Sequence, residues 1–258
     1  MTKYLEEKDY NYLKNNGYLI INNFLDNSIF RDILDYSEQI IKICKSKKII
    51  KNNNNIRNTE LKDTYMSMSL SNECIFVDRR KNSVDNGMID IFNPELSKNI
   101  ADKEMGNPII LFREIIKKNI VNKINQYEKK INFSLKNTNI YEHIKTSNPR
   151  VAHFDNVNTY YKVFLFLSDV PSSHGSFYYY TKSQKNKIRN KIMSFINHKV
   201  FLKRNGNDTD INFLYMSNKA KKNLTGLKGT IVISDVSGIH GSNPVENIER
   251  KVLVQCIR

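Results

Sequence analysis

His153-Phe154-Asp155-Asn156 is the stretch that decides how this chain is to be read. On a β-strand successive side chains point to opposite faces, so residues i and i+2 share one. An imidazole and a carboxylate at that spacing can grip one metal ion from the same side. The surrounding sequence supports a strand setting. Asn139 to Ile144, Tyr160 to Leu167, Ser176 to Tyr180, Gly229 to Ser234 and Lys251 to Ile257 are short β-type runs separated by turn residues. Many short strands with turn signals between them predict a sandwich or barrel.

The next histidine downstream of the Gly229 to Ser234 run is His240, in Gly238-Ile239-His240-Gly241-Ser242. His153, Asp155 and His240 on one face of a metal leave three positions open, which suits Fe(II) chemistry with O₂ and a bidentate co-substrate. Arg250 stands ten positions after His240, at the start of the last run. A buried arginine there can bind a carboxylate through two parallel hydrogen bonds, and Ser242 can add a hydroxyl to the same group. 2-Oxoglutarate fits this set, with its keto-acid end on the iron and its far carboxylate on Arg250. Taken singly, each residue has an ordinary structural reading; their order along the chain carries the argument. A hydrolytic zinc site also suits two histidines and an aspartate, but leaves Arg250 without a role.

Upstream, Glu6 to Asn15 reads as a short helix stopped by Asn16-Gly17, and Tyr18-Leu19-Ile20-Ile21 as a strand. Asp26 is placed to cap a helix from Asn27 to about Cys44. Residues 45–62, rich in lysine and asparagine, predict a surface loop or lid. Asn86 to Pro94 reads as a turn, a strand and a proline-marked exit. Pro108 to Lys130 predicts an amphipathic helix with Leu111, Ile115, Ile116, Ile120 and Ile124 along one stripe. The insert from about 182 to 227 is too polar for a core and is expected to cover one mouth of the barrel. The predicted class is mainly β with flanking helices (α+β), in one domain over 1–258. Residues 1–130 are expected to be mostly helical support, and 131–258 a jelly-roll, cupin-like core.

Composition narrows the partners. Apolar residues make up 40% of the 258, enough for a core, and no run approaches the roughly 20 residues of a membrane span. Cys44, Cys74 and Cys256 are odd in number and widely spaced, which predicts neither a disulfide framework nor a zinc knuckle and points to a reducing cytoplasm. The net charge of +15 raises the possibility of nucleic acid. Its lysines are dispersed, however, through a chain saturated with Lys, Asn and Ile, the pattern of a bias toward AT-rich codons. A small anionic substrate is favoured over nucleic acid. A non-catalytic jelly roll and a basic nucleic-acid- or anion-binding module are the competing classes. The latter requires clustered cations interleaved with exposed aromatics, and Phe177-Tyr178-Tyr179-Tyr180 alternates faces on a strand, so it reads as core or pocket lining.

Several segments in register resemble the phytanoyl-CoA dioxygenase-like branch of the Fe(II)/2-oxoglutarate oxygenases. Tyr12 to Leu25, with Asn16-Gly17-Tyr18 at its centre, is similar to the family's opening helix, turn and strand. His153-Phe154-Asp155-Asn156 resembles its proximal metal motif. Tyr161 to Val170, then His174-Gly175-Ser176-Phe177, resembles the strand, turn and strand that follow. His240-Gly241-Ser242 with Arg250 resembles the distal histidine and co-substrate arginine. Residues 45–85 and 185–225 stay unaligned. The resemblance implies a double-stranded β-helix core and a reaction in which 2-oxoglutarate and O₂ become succinate and CO₂ while a C–H bond is oxidised. Asp155 stands where related halogenases carry a small residue, which favours hydroxylation. Lys162 occupies a position where many relatives carry lysine, and is expected either to contact the co-substrate or a substrate anion, or to be an exposed residue at a strand start. Thr181-Lys182-Ser183-Gln184 departs from the "pGSH" turn frequent in the family, which bears on the substrate mouth. His143 and His174 are further pocket candidates.

Overall fold

The structure is a computed structural model that describes residues 2–46, 65–70, 73–79, 88–94, 107–129, 131–145, 152–155, 160–172, 175–186, 209–210, 220–246 and 249–258. The predicted loop at 45–62 lies almost wholly outside them, as does His174.

The chain opens with α1 (Glu7–Asn16), whose end is fixed by Gly17 at φ 87°, with its N–H donating to the Leu13 carbonyl. That left-handed turn is cheap only for glycine, and a Cβ there would meet the Tyr179 hydroxyl at 2.3 Å. β1 (Tyr18–Ile21) follows, then α2 (Asn27–Ser46), which begins just after Asp26. β2 (Tyr65–Leu70), β3 (Glu73–Arg79) and β4 (Met88–Phe92) form an antiparallel meander. The amphipathic stretch beyond Pro108 is helical as expected, but in three parts: α3 (Pro108–Ile116), a π-helical turn (Lys117–Val121) and α4 (Asn122–Glu128). Asn107 caps α3 by accepting from Ile109 N at 2.9 Å, with Pro108 at the first position, where its missing N–H costs nothing.

The remaining strands are β5 (Leu135–His143), β6 (His153–Phe154), β7 (Tyr161–Phe166), β8 (Phe177–Tyr180), β9 (Thr209–Asp210), β10 (Lys221–Leu224), β11 (Ile231–Asp235), β12 (His240–Ser242) and β13 (Arg250–Ile257). They build two antiparallel sheets, ordered β1-β11-β7-β13-β5-β4-β3-β2 and β10-β8-β12-β6-β9. The larger sheet is sided by strict alternation. Val163, Leu165, Ile231, Ile233, Leu253 and Ile257 face a helical layer formed by Leu13, Ile33, Ile40, Phe112, Ile116 and Ile124. Their neighbours Phe164, Phe166, Val232, Val252, Val254 and Cys256 face the smaller sheet, packing with Tyr179 and Leu224. The architecture is therefore helices, large sheet, small sheet, in keeping with a mainly β chain with flanking helices.

Two expectations are corrected. Residues 1–130 are more than helical support, because β1 to β4 supply half of the larger sheet. The polar insert at 182–227 is more than a cover, because β9 and β10 are the two edge strands of the smaller sheet and Asp210 pairs with His153. Among the described residues no helix is long and apolar enough to cross a membrane.

Candidate metal centre

His153 and His240 are directly opposite each other on the ladder between β6 and β12. Both are buried, and their rings lie 4.4 Å apart, centroid to centroid. Asp155 follows the end of β6, where its N–H donates to the Val236 carbonyl at 3.0 Å. One carboxylate oxygen, Oδ1, then lies 3.6 Å from His153 Nε2 and 3.5 Å from His240 Nε2. The ligand-capable atoms of the three residues all fall within 4.8 Å of one another. The spacing predicted from alternation is what brings His153 and Asp155 to one side, although the strand itself ends at Phe154.

His240 is carried by a tightly built turn. Gly238 N donates to the Asp235 carbonyl at 3.1 Å, Ser237 N to Asp235 Oδ1 at 3.0 Å, and Ile239 N to Ser183 Oγ at 2.7 Å. Tyr179, fully buried, donates its hydroxyl to the Asp235 carbonyl at 2.9 Å. A Cβ on Gly238 would lie 1.8 Å from that hydroxyl, so only glycine fits. His240 Nδ1 sits 2.9 Å from the Gly238 carbonyl. A carbonyl only accepts, so Nδ1 holds the proton and Nε2 is left to offer its lone pair to a metal. Ser183 and Tyr179 were not predicted as supports of this turn. Ser183 lies in the segment that departs from the family's usual turn, which was its one signal.

Burial alone pushes the Asp155 carboxyl up, but the Lys162 ammonium and the imidazoles of His153 and His240 outweigh it and hold the group well below the usual carboxylate range. Lys162 Nζ is 2.5 Å from Oδ2, the oxygen turned away from the histidines. The structure thus places Lys162 on a metal-ligand candidate. A buried carboxylate flanked by two neutral imidazole donors, with no sulfur ligand, is a donor set that fits Fe(II) and leaves positions open.

Arg250 starts β13 on the inner side of the large sheet and is only 8% exposed. Its guanidinium is gripped by the Gly175 carbonyl on one nitrogen and by the His143 ring on the other, with Nε2 at 2.9 Å. Gly175 adopts φ 63° there, and a Cβ would run into Val245 at 2.6 Å. His143, a secondary candidate from sequence, is the cross-strand partner of Arg250. Ser242 lies two residues beyond His240 on β12, opposite Phe177. Phe177 flanks the His240 ring at 5.2 Å, and Tyr178, Tyr179 and Tyr180 are buried, so this aromatic run lines the interior.

No family profile and no curated protein sequence matches this chain. Solved structures do. The non-haem alpha-ketoglutarate-dependent carbocyclase SnoK from nogalamycin biosynthesis superposes with a TM-score of 0.61 at 10% identity, covering 100% of this chain and 86% of that one. EctD from S. alaskensis with bound Fe gives 0.57 at 10% identity, with 98% and 76% covered. HygX from Streptomyces hygroscopicus with nickel and 2-oxoglutarate bound gives 0.51 at 11% identity, with 98% and 87% covered. At such identities the likeness is one of fold, and that fold is shared with non-haem iron, 2-oxoglutarate-dependent enzymes.

Proposed function

We propose that this chain is an Fe(II)- and 2-oxoglutarate-dependent oxygenase of the phytanoyl-CoA dioxygenase-like branch, a single domain on a double-stranded β-helix core. The observation that carries this reading is the meeting of His153, Asp155 and His240 within 4.8 Å in a fold shared with such enzymes. Arg250, buried and oriented from two sides, supports it. His153, Asp155 and His240 would hold the iron, and Arg250 with Ser242 the far carboxylate of the co-substrate. When bound, iron and co-substrate together supply the oxidising power for C–H oxidation by O₂, with succinate and CO₂ as by-products.

The chain's own residues prepare this chemistry. The Gly238 carbonyl keeps the His240 proton on Nδ1, and Lys162 faces the outer oxygen of Asp155. Phe164, Val252 and Val254 keep water out of the space between the sheets. Asp155 in place of a small residue favours hydroxylation over halogenation. The excess of positive charge favours a small, anionic metabolite as substrate.

The deciding experiment is an anaerobic titration with Fe(II) and 2-oxoglutarate, followed by the weak visible charge-transfer band of the chelate. The band is expected in the wild type and absent in His153→Ala. A folded wild-type protein without the band overturns the proposal.

A further inference from the structure

The two oxygens of Asp155 have separate partners. Oδ1 faces both imidazoles, and Oδ2 faces Lys162 Nζ at 2.5 Å. The contact is ionic in character, because Nζ approaches Oδ2 outside the angles of a regular hydrogen bond. Both side chains are sheltered, Asp155 at 8% and Lys162 at 20% exposure, so the attraction is far less screened than on a surface. Both backbones are held in place. Asp155 is pinned through its backbone to Val236, and Lys162 is the second residue of β7, paired across the ladders with Ser234 and Cys256.

A metal-bound carboxylate with an unclaimed second oxygen can rotate and bind through both, which would consume one of the three positions that a two-histidine, one-carboxylate site leaves open. We propose that Lys162 is a positioning residue that keeps Asp155 a one-oxygen ligand and so reserves the coordination position that the co-substrate needs. This assigns Lys162 to the geometry of the metal ligand rather than to capture of a substrate anion. It rests on the metal reading given above.

The test uses the full chain as wild type, Lys162→Met, Lys162→Ala and Lys162→Arg. Affinity for Mn(II) is measured first, then affinity of the Fe(II)-loaded protein for 2-oxoglutarate without oxygen. Lys162→Met and Lys162→Ala should bind Mn(II) about as well as wild type or better, since a cation beside the site is gone. Both should lose about tenfold or more in 2-oxoglutarate affinity, and Lys162→Arg should restore it to within about threefold. Should Lys162→Met fail to fold, Lys162→Ala carries the comparison. Unchanged 2-oxoglutarate affinity in the Met and Ala variants overturns the inference and leaves the metal reading standing. Parallel loss of Mn(II) and 2-oxoglutarate also overturns it, because Lys162 would then support the ligand in general. A wild type that binds neither sinks both.

Discussion

The two faces of the large sheet are made by the same strands and do opposite work. Along β7, Val163 and Leu165 point to the helices while Lys162, Phe164 and Phe166 point to the small sheet. Along β13, Leu253 and Ile257 take the helical side, and Arg250, Val252 and Val254 the other. The helix-backed face is mainly apolar, and its polar residues are grouped on β5 and β13, where Thr138 bonds Gln255 and Arg113 while Glu142 lies opposite Lys251. The inner face admits Lys162, Arg250, His143 and the Asn139–Asp90 pair, joined at 2.8 Å, among its apolar residues. Burying polar groups without partners is costly, and each of these has one. Under the proposed function, folding and ligand binding fall to alternate residues of single strands. Substitutions one position apart should therefore separate them.

The sharpest break in that comparison comes from His153→Ala, expected to lower metal affinity by at least about two orders of magnitude and to leave cooperative unfolding in place. Metal titration beside a thermal melt measures both, and a variant that still binds metal tightly would remove His153 from the centre. Leu165→Ala is its mirror image. Fully buried against the helices, it should cost about 2–5 kcal/mol in a denaturant melt and leave metal affinity unchanged; an effect on the metal would show that the faces are not independent. Arg250→Ala should weaken 2-oxoglutarate by about 2–4 kcal/mol, as expected when one partner of a buried charge pair is lost, with no change in Mn(II) affinity. Smallest is Ser183→Ala. Removing the acceptor of Ile239 N should cost about 1–2 kcal/mol of stability together with a modest drop in metal affinity, since that hydrogen bond steadies the turn carrying His240. A stability loss with no metal effect would make Ser183 purely structural.

Most of this division was legible in the sequence, because alternation is a local property. β1, β4, β5, β7, β8, β11 and β13 all fall on stretches whose β-type residues or turn signals announce them; spacing singles out His153 and Asp155, the place after the β11 run singles out His240, and the structure brings the three together. What stayed hidden has particular causes. β9 and β12 have two and three residues, too few to show a period. β10, Lys221-Lys222-Asn223-Leu224, looks like loop because an edge strand carries charge that discourages further pairing, and only Leu224 reaches the core. β2, with Tyr65-Met66-Ser67-Met68-Ser69-Leu70, does alternate, yet it follows a long polar tract that masked it. The partner of Lys162 could not be read at all, because an ion pair between β7 and the end of β6 depends on how two sheets face each other. The His143–Arg250 contact likewise needed the register of β5 on β13.

The opposition of His153 and His240 has a consequence for how much the rest of the chain can drift. Residues facing each other on neighbouring antiparallel strands have their Cα atoms about 4.5–5.5 Å apart whatever the side chains are. The separation of the two imidazoles is thus dimensioned by peptide geometry, a ruler common to every protein. A genome that pushes its coding toward lysine, asparagine and isoleucine can rewrite the surface, the insert and much of the packing without changing that length. The span of the centre is insured by the part of the molecule that mutation never touches.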